Sequence, residues 1–552
     1  MLSTIHIQKL RKVYNKFGEQ EAVEKFNLLN ELSQRRLTNY TAVKNYHELL
    51  LFLKAYPDNE QVLNLVISEQ VRVAAAVKKI MESGSAKAQK ALSGCGIAGT
   101  TLITQYSFTI TKWLAQKFTP FVCFDSCAAG AEEGAAILHY LFPKAEYFFT
   151  TQEKFSAQKR LNFLFEKSNN KLQHLLQLFI QSVKDEKLCE TLFDQLKIFT
   201  QWKLDDAIFN RTFVKGIEQP IFYHKHLQKK VDKGHIFYKQ SAKAVKLLIQ
   251  QQEYLLDVAK ASLAFYCRET EPVTLGAASE VKLFNCSRGI SIALYGMMPE
   301  RRLSIESYVG YMVFKNSVPV AYGGGWMFGH RCKIGLNIYP PFRSGESALI
   351  FSEVLNLYHQ FYKQQYFIVK PYQYGKGNTE GLQSAAFWFY YKLGFKPVDK
   401  AIADIAKDEF DQNKKSSLLT LKLFTKSNIE LLLKPTPSAQ IDAEILSRLV
   451  TKMIIEKFDG DRSKAVKVCW VNCKKLLIPK NETRVINKQQ QQLQQLTLLF
   501  SLIPNLKKWN DNEKQQLLKI LLAKAVDEKK YIQAIQQHKK LTNVLADLCK
   551  PI

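Results

Sequence analysis

The stretch "YPPFRSGESALIFSEVL", residues 339–355, changes from a strand-like run to a helical one, with Arg343, Ser344, Gly345 and Ser347 at the junction. A strand, a small polar turn and a helix start make an anion site, because unpaired backbone N–H groups and the positive end of the helix dipole converge there. The chemistry expected of this stretch is the holding of a phosphate. The alternative is a structural turn in which Ser344 caps the helix.

The flanking segments set the context. "ESYVGYMVF" reads as a strand, "KNS" as a turn and "VPVAYGGGWMF" as the returning strand of a hairpin, with Pro319 favouring an edge or a strand start. "CKIGLNIY" is a third strand. After the loop comes the helix "ALIFSEVLNLYHQFYKQ", with Leu349, Ile350, Val354, Leu357, Tyr358 and Phe361 on one side. The strand "YFIVKPY", the loop "QYGKGNTEG" and the helix "LQSAAFWFYYKLGF" complete the segment.

This order of hairpin, strand, anion loop, helix, strand, Asn-containing loop and aromatic helix resembles the GCN5-related N-acetyltransferase (GNAT) superfamily over about 130 residues. The resemblance implies an acyl-coenzyme A cofactor, acetyl-coenzyme A as the first guess, held by the strand at Leu336, Asn337 and Ile338, by the loop Arg343, Ser344, Gly345, Glu346, Ser347 and Ala348, and by Asn378. It implies Tyr390 as the acid that protonates the leaving thiolate. The loop "RSGESA" departs from the family pattern, with its glycine one place early and Glu346 where glycine is usual. A Glu in the first helical turn complements the dipole and is expected to face away from a bound anion. Trp388, Phe389, Tyr390, Tyr391 and Phe395 also read as core aromatics on a helix capped by Gly394.

Acyl transfer to an amine needs two reactants held close, a stabilised oxyanion and a proton for the departing sulfur, with no covalent enzyme intermediate. The strand "CKIGLNIY" offers no acidic base; Glu306 and His330 lie in the same region. The run Gly323 to Gly325 inside a strand pattern predicts a bulge or bend, with close approach of a ligand as the alternative.

The whole chain must position this site. It has 552 residues, 46% of them hydrophobic, enough for several cores of globular size. Residues 1–265 read as mainly helical with one possible small α/β unit near 93–126, residues 270–402 as the GNAT-like domain, and residues 405–552 as helical. The expected class is α/β, a central mixed sheet flanked by helical regions. The low-complexity "NKQQQQLQQL" reads as an exposed helix or linker.

Other features point elsewhere. The formal charge of +28, from 78 Lys+Arg against 50 Asp+Glu, asks for an acidic partner: nucleic acid, anionic lipid or a polyanionic cofactor. "HKHLQKKVDKGHIFYKQSAKAVK", residues 224–246, sets seven lysines, three histidines, Phe237 and Tyr238 against a single Asp232. That composition suits single-stranded nucleic acid or a solvated basic face, and its histidines lack carboxylate or cysteine company for a metal. "SGCGIAGTT" satisfies G-x-G-x-x-G with Gly94, Gly96 and Gly99, and Asp125 follows in "PFVCF"-D. Without a convincing strand before it, the match reads as accidental, with a dinucleotide or S-adenosylmethionine loop as the alternative, in which the loop, a following helix "LITQYSFTITKWLAQKF" and the strand "PFVCF" make one α/β unit. Ten scattered cysteines, Cys123/Cys127 and Cys469/Cys473 the closest pairs, read as free thiols and not as a zinc site.

No apolar leader and no run of ~18 apolar residues is found, so no membrane insertion and a cytoplasmic location are expected. The leading function is transfer of an acyl group from acyl-coenzyme A to an unidentified amine. The alternatives are an aminoacyl-tRNA-dependent transferase of the FemABX type and a non-catalytic, nucleic-acid-binding scaffold.

Overall fold

A computed structural model describes residues 1–150, 155–231, 242–435, 441–478 and 490–550. The protein is mixed α/β. Its strands are β1 (Thr101–Gln105), β2 (Val122–Cys127), β3 (Ile198–Lys203), β4 (Lys243–Val245), β5 (Lys282–Asn285), β6 (Ile290–Tyr295), β7 (Ser307–Lys315), β8 (Val318–Phe328), β9 (Arg331–Ile338), β10 (Tyr366–Val369), β11 (Lys396–Pro397) and β12 (Ile429–Leu432). Nine of them form one sheet in the order β11-β12-β10-β9-β8-β7-β6-β5-β4. Every neighbouring pair is antiparallel except β9 and β10, which run parallel.

Both faces of this sheet are covered, which is why its strands read as nearly continuous apolar runs. Successive side chains point to opposite faces. Thus Ile292, Leu294, Val309, Tyr311 and Val313 join a core with the helix Ser347–Tyr362 and the C-terminal helices. Ala293, Tyr295, Met312 and Phe314 join a second core with the helix Ile249–Ala264 and the three-stranded sheet β1-β3-β2. A third core holds the first helices together, including Thr4–Val13 and Tyr40–Ala55.

Several expectations change. The sheet reaches beyond residues 270–402, recruiting β4 before that span and β12 after it. "LITQ" in the presumed helix after the glycine loop is β1, where β-branched Thr101, Ile103 and Thr104 favour the extended chain, and the helix begins at Phe108 behind a Ser107 cap. "NKQQQQLQQL" is no exposed linker over its described part: the helix Gln490–Phe500 buries Leu493, Leu496 and Leu499 at three-residue spacing. Residues 232–241, with Phe237 and Tyr238, lie outside the described residues.

The glycine run makes no bulge. Gly323, Gly324 and Gly325 pair regularly with Tyr311, Gly310 and Val309, and the register shift falls at Val313/Phe314. Rings explain the missing side chains: a Cβ at Gly323 would lie 2.6 Å from Tyr311 Cζ and one at Gly324 2.6 Å from Tyr308 Cε2, while one at Gly325 would meet the Tyr358 ring.

The G-x-G-x-x-G stretch precedes β1 and follows no strand. All three glycines have left-handed φ, +77°, +77° and +80°. The backbone is already bonded, Gly99 N–H to Leu204 O and Arg211 N–H to Gly96 O, both 2.9 Å. A tight structural turn accounts for them. Asp125 is exposed on β2, separated from β1 by β3.

Among the described residues no helix is long and apolar enough to cross a membrane, and no group of three or more His, Cys, Asp or Glu could hold a metal ion. None of the ten cysteines is in a disulfide.

Candidate active site

Where β9 meets β10 the ladder is short. Only Arg331, Cys332 and Lys333 pair with Tyr366, Phe367 and Ile368, whereas β9 continues to Ile338. Pro371, soon after β10, cannot donate to a ladder, and the chain turns there into a short 3-10 helix, Pro371–Tyr374. The strands part, and the β10 side of Ile334–Ile338 is left without a ladder partner.

Tyr390 reaches into this wedge from the helix Ala386–Lys392. Its ring packs edge-on to Phe351 at 5.5 Å, and the residue is 2% exposed. Burial pushes its phenol well above the ordinary value, and the Leu336 backbone N–H facing its oxygen opposes that rise without cancelling it. The hydroxyl therefore keeps its proton at neutral pH. Tyr390 Oη also lies 3.5 Å from Gln373 Oε1. The remaining aromatics follow the core reading: Phe387 stacks on Phe424 at 4.2 Å, and the Trp388 indole donates to Ser416 Oγ at 2.7 Å.

From Ile338 the chain passes through a turn, Pro340–Phe342, to the loop and the helix Ser347–Tyr362. This loop is packed under the N-terminal helices. Tyr14 Oη and Ser344 Oγ are 2.7 Å apart, and a Cβ at Gly345 would lie 2.6 Å from the Tyr56 ring. Ser344 is thus no helix cap; the cap position belongs to Glu346, whose side chain caps nothing. Instead the Glu346 carboxylate is fully buried among Lys315 Nζ and Arg288 at 2.6 Å and the Gln228 N–H at 2.9 Å, with His224 Nε2 at 3.8 Å. These partners draw the carboxylate toward the end of β7 and toward Arg288. One histidine of the 224–246 segment therefore does have carboxylate company, although three cation or amide donors hold that carboxylate already.

Among the described residues no side chain caps the first-turn N–H groups of this helix, at half-buried Ser347 and Ala348 and at buried Leu349. Arg343 stands beside it, half exposed, with Nε 3.4 Å from Ile338 O and its guanidinium on Glu380. Asn378 lies two residues before Glu380 and is used locally, accepting from Gly381 N–H at 3.1 Å and donating to Tyr372 O at 3.0 Å. The fold therefore brings Tyr390 to Leu336 and brings Arg343 to the Asn378 turn. Asn337 is exposed and Ile338 half-buried on the same strand. Ser344, Gly345 and Glu346 are turned into the protein. Glu306 is paired with Lys333 at 2.8 Å, and His330 Nδ1 with Lys363 O at 3.0 Å, so neither presents a free base.

Two contributors carry no sequence signal. Gln373 follows a strand-ending proline, and Tyr56 closes the helix Tyr40–Ala55; only the folded chain brings them to Gly335 and Gly345. No family model matches the chain, and neither a curated protein nor a solved structure matches it.

Proposed function

We propose that the protein is an N-acyltransferase that moves an acyl group from acyl-coenzyme A to an amine. The observation that carries the reading is a buried, protonated Tyr390 hydroxyl at Leu336, in a wedge opened by the same strand that leads to Arg343 and an uncapped helix start. Arg343 and the backbone at Ser347–Leu349 would hold the cofactor phosphates, and the unpaired side of Ile334–Ile338 would hold its amides. When bound, the thioester supplies an acyl carbon activated toward an amine.

The chain's own groups bring the reactants together and manage protons. The amine lone pair forms the C–N bond while the C–S bond breaks with its electron pair on sulfur. Tyr390 gives its Oη proton to that sulfur, the ammonium proton leaves to water, and solvent reprotonates Tyr390. A phenol whose pKa is raised is an acid that stays loaded at neutral pH.

A second reading, a non-catalytic scaffold on the same fold with basic surfaces for nucleic acid, is favoured by the burial of Gly345 and Glu346 and by the contact of half-buried Ser344 with Tyr14. An aminoacyl-tRNA-dependent transferase would use the same wedge and draw on the +28 charge. Calorimetric titration of the full-length protein with acetyl-coenzyme A separates these readings. Saturable binding weakened by Arg343→Ala supports the acyltransferase; heatless titrations at high ligand concentration reject it.

A further inference from the structure

The wedge contains a carboxamide that the acyl-transfer scheme above leaves unused. Gln373 lies flat over the bare Cα of Gly335: a Cβ there would be 2.7 Å from both Cδ and Nε2 and 3.0 Å from Oε1. Such equal distances mean that the amide plane covers the glycine and is not an end-on approach. Its Oε1 end is the one turned toward Tyr390, whose protonated hydroxyl lies 3.5 Å away. The Nε2 end is then left as a donor with no protein acceptor among the described residues. Gly335 is itself engaged on its carbonyl, which accepts from the Tyr311 hydroxyl, so the backbone beneath the amide is fixed.

We infer that Gln373 is the group that recognises the acyl carbonyl: its Nε2 donates to the carbonyl oxygen of the bound thioester, beside the Tyr390 hydroxyl that serves the sulfur. The inference rests on the acyltransferase reading. Gly335 is part of the same device, since any side chain there would displace the amide. The oxygen gains negative charge as the amine attacks, so a donor placed at that oxygen acts more strongly on the transition state than on the ground state.

The test is calorimetry of the full chain with two probes, acetyl-coenzyme A and free coenzyme A, which differ at the acyl group. Wild type should bind acetyl-coenzyme A about 3- to 10-fold more tightly, the worth of one neutral hydrogen bond. Gln373→Ala and the nearly isosteric, acceptor-only Gln373→Glu should abolish that preference while leaving coenzyme A affinity within about twofold. Gly335→Ala should do the same by pushing the amide aside, and adding Gln373→Ala to it should cost nothing further. Unchanged preference in the Gln373 variants, with wild type binding both probes, overturns this inference alone. Failure of wild type to bind either probe overturns the acyltransferase reading and this inference with it. Thermal unfolding of each variant checks that the fold is intact.

Discussion

Lys315 Nζ lies 2.6 Å from Glu346 Oε2, and neither side chain reaches solvent. Lys315 ends β7 and Glu346 begins the helix Ser347–Tyr362, so the pair fastens the helix start to the sheet. Burial disfavours the Glu346 charge, but His224, Lys315 and the Gln228 N–H outweigh it and hold the carboxyl well below the usual range.

Breaking this pair from one side leaves Lys315 buried without the carboxylate that bonds it. Glu346→Ala should destabilise the protein by about 3–5 kcal/mol, and Lys315→Met added to it should recover a large part of that loss. Urea unfolding of wild type and the two variants measures both. A single variant as stable as wild type would remove the pair from the list of what holds this junction.

Glycine substitutions should separate crowding from backbone strain. Gly323→Ala puts a Cβ against the Gly335 carbonyl and the Tyr311 ring and should cost about 2–4 kcal/mol. Gly94→Ala has open space but a φ of +77° and should cost only about 1 kcal/mol. Comparable losses at both positions would contradict the ring-packing account of the glycine run.

Glu48 should be one source of acid sensitivity, beside Glu346. Burial works against its charge, yet His47 beside it and the Arg211 guanidinium at 2.8 Å hold its carboxyl at about 2, against 4.5 ordinarily. A depressed folded-state value gives stability that is complete above about pH 4.5 and is lost as pH falls toward 2, about 3 kcal/mol in all. Glu48→Gln should flatten the stability curve across that window; a curve parallel to wild type would assign the acid loss to other groups.

Tyr390→Phe removes one oxygen and keeps the ring against Phe351. If the hydroxyl serves as general acid, turnover should fall about 10²-fold or more while acetyl-coenzyme A affinity stays nearly constant. Steady-state kinetics beside calorimetry reads the two separately. Equal losses in both would make Tyr390 a packing residue.

Nearly continuous apolar runs bounded by turn residues, and the chemistry of the junction, made β7 to β10, the helix Ser347–Tyr362 and the loop between them legible in sequence, because hydrophobic patterning and turn residues act locally. The same locality misled at "LITQ", whose partner β3 is about a hundred residues away. It also misled at the glycine run, whose spacing says nothing of Tyr308, Tyr311 and Tyr358 lying against it. Sequence alone determined that Arg343 would stand beside a helix start and that the chain would carry a net charge of +28. Only tertiary structure decided that Glu346 turns inward to Lys315, that Tyr14 and Tyr56 cover Ser344 and Gly345, and that Gln373 lies on Gly335. Those contacts join residues far apart in the chain, and they are set by the packing of helices against the two faces of one sheet, which no local pattern encodes.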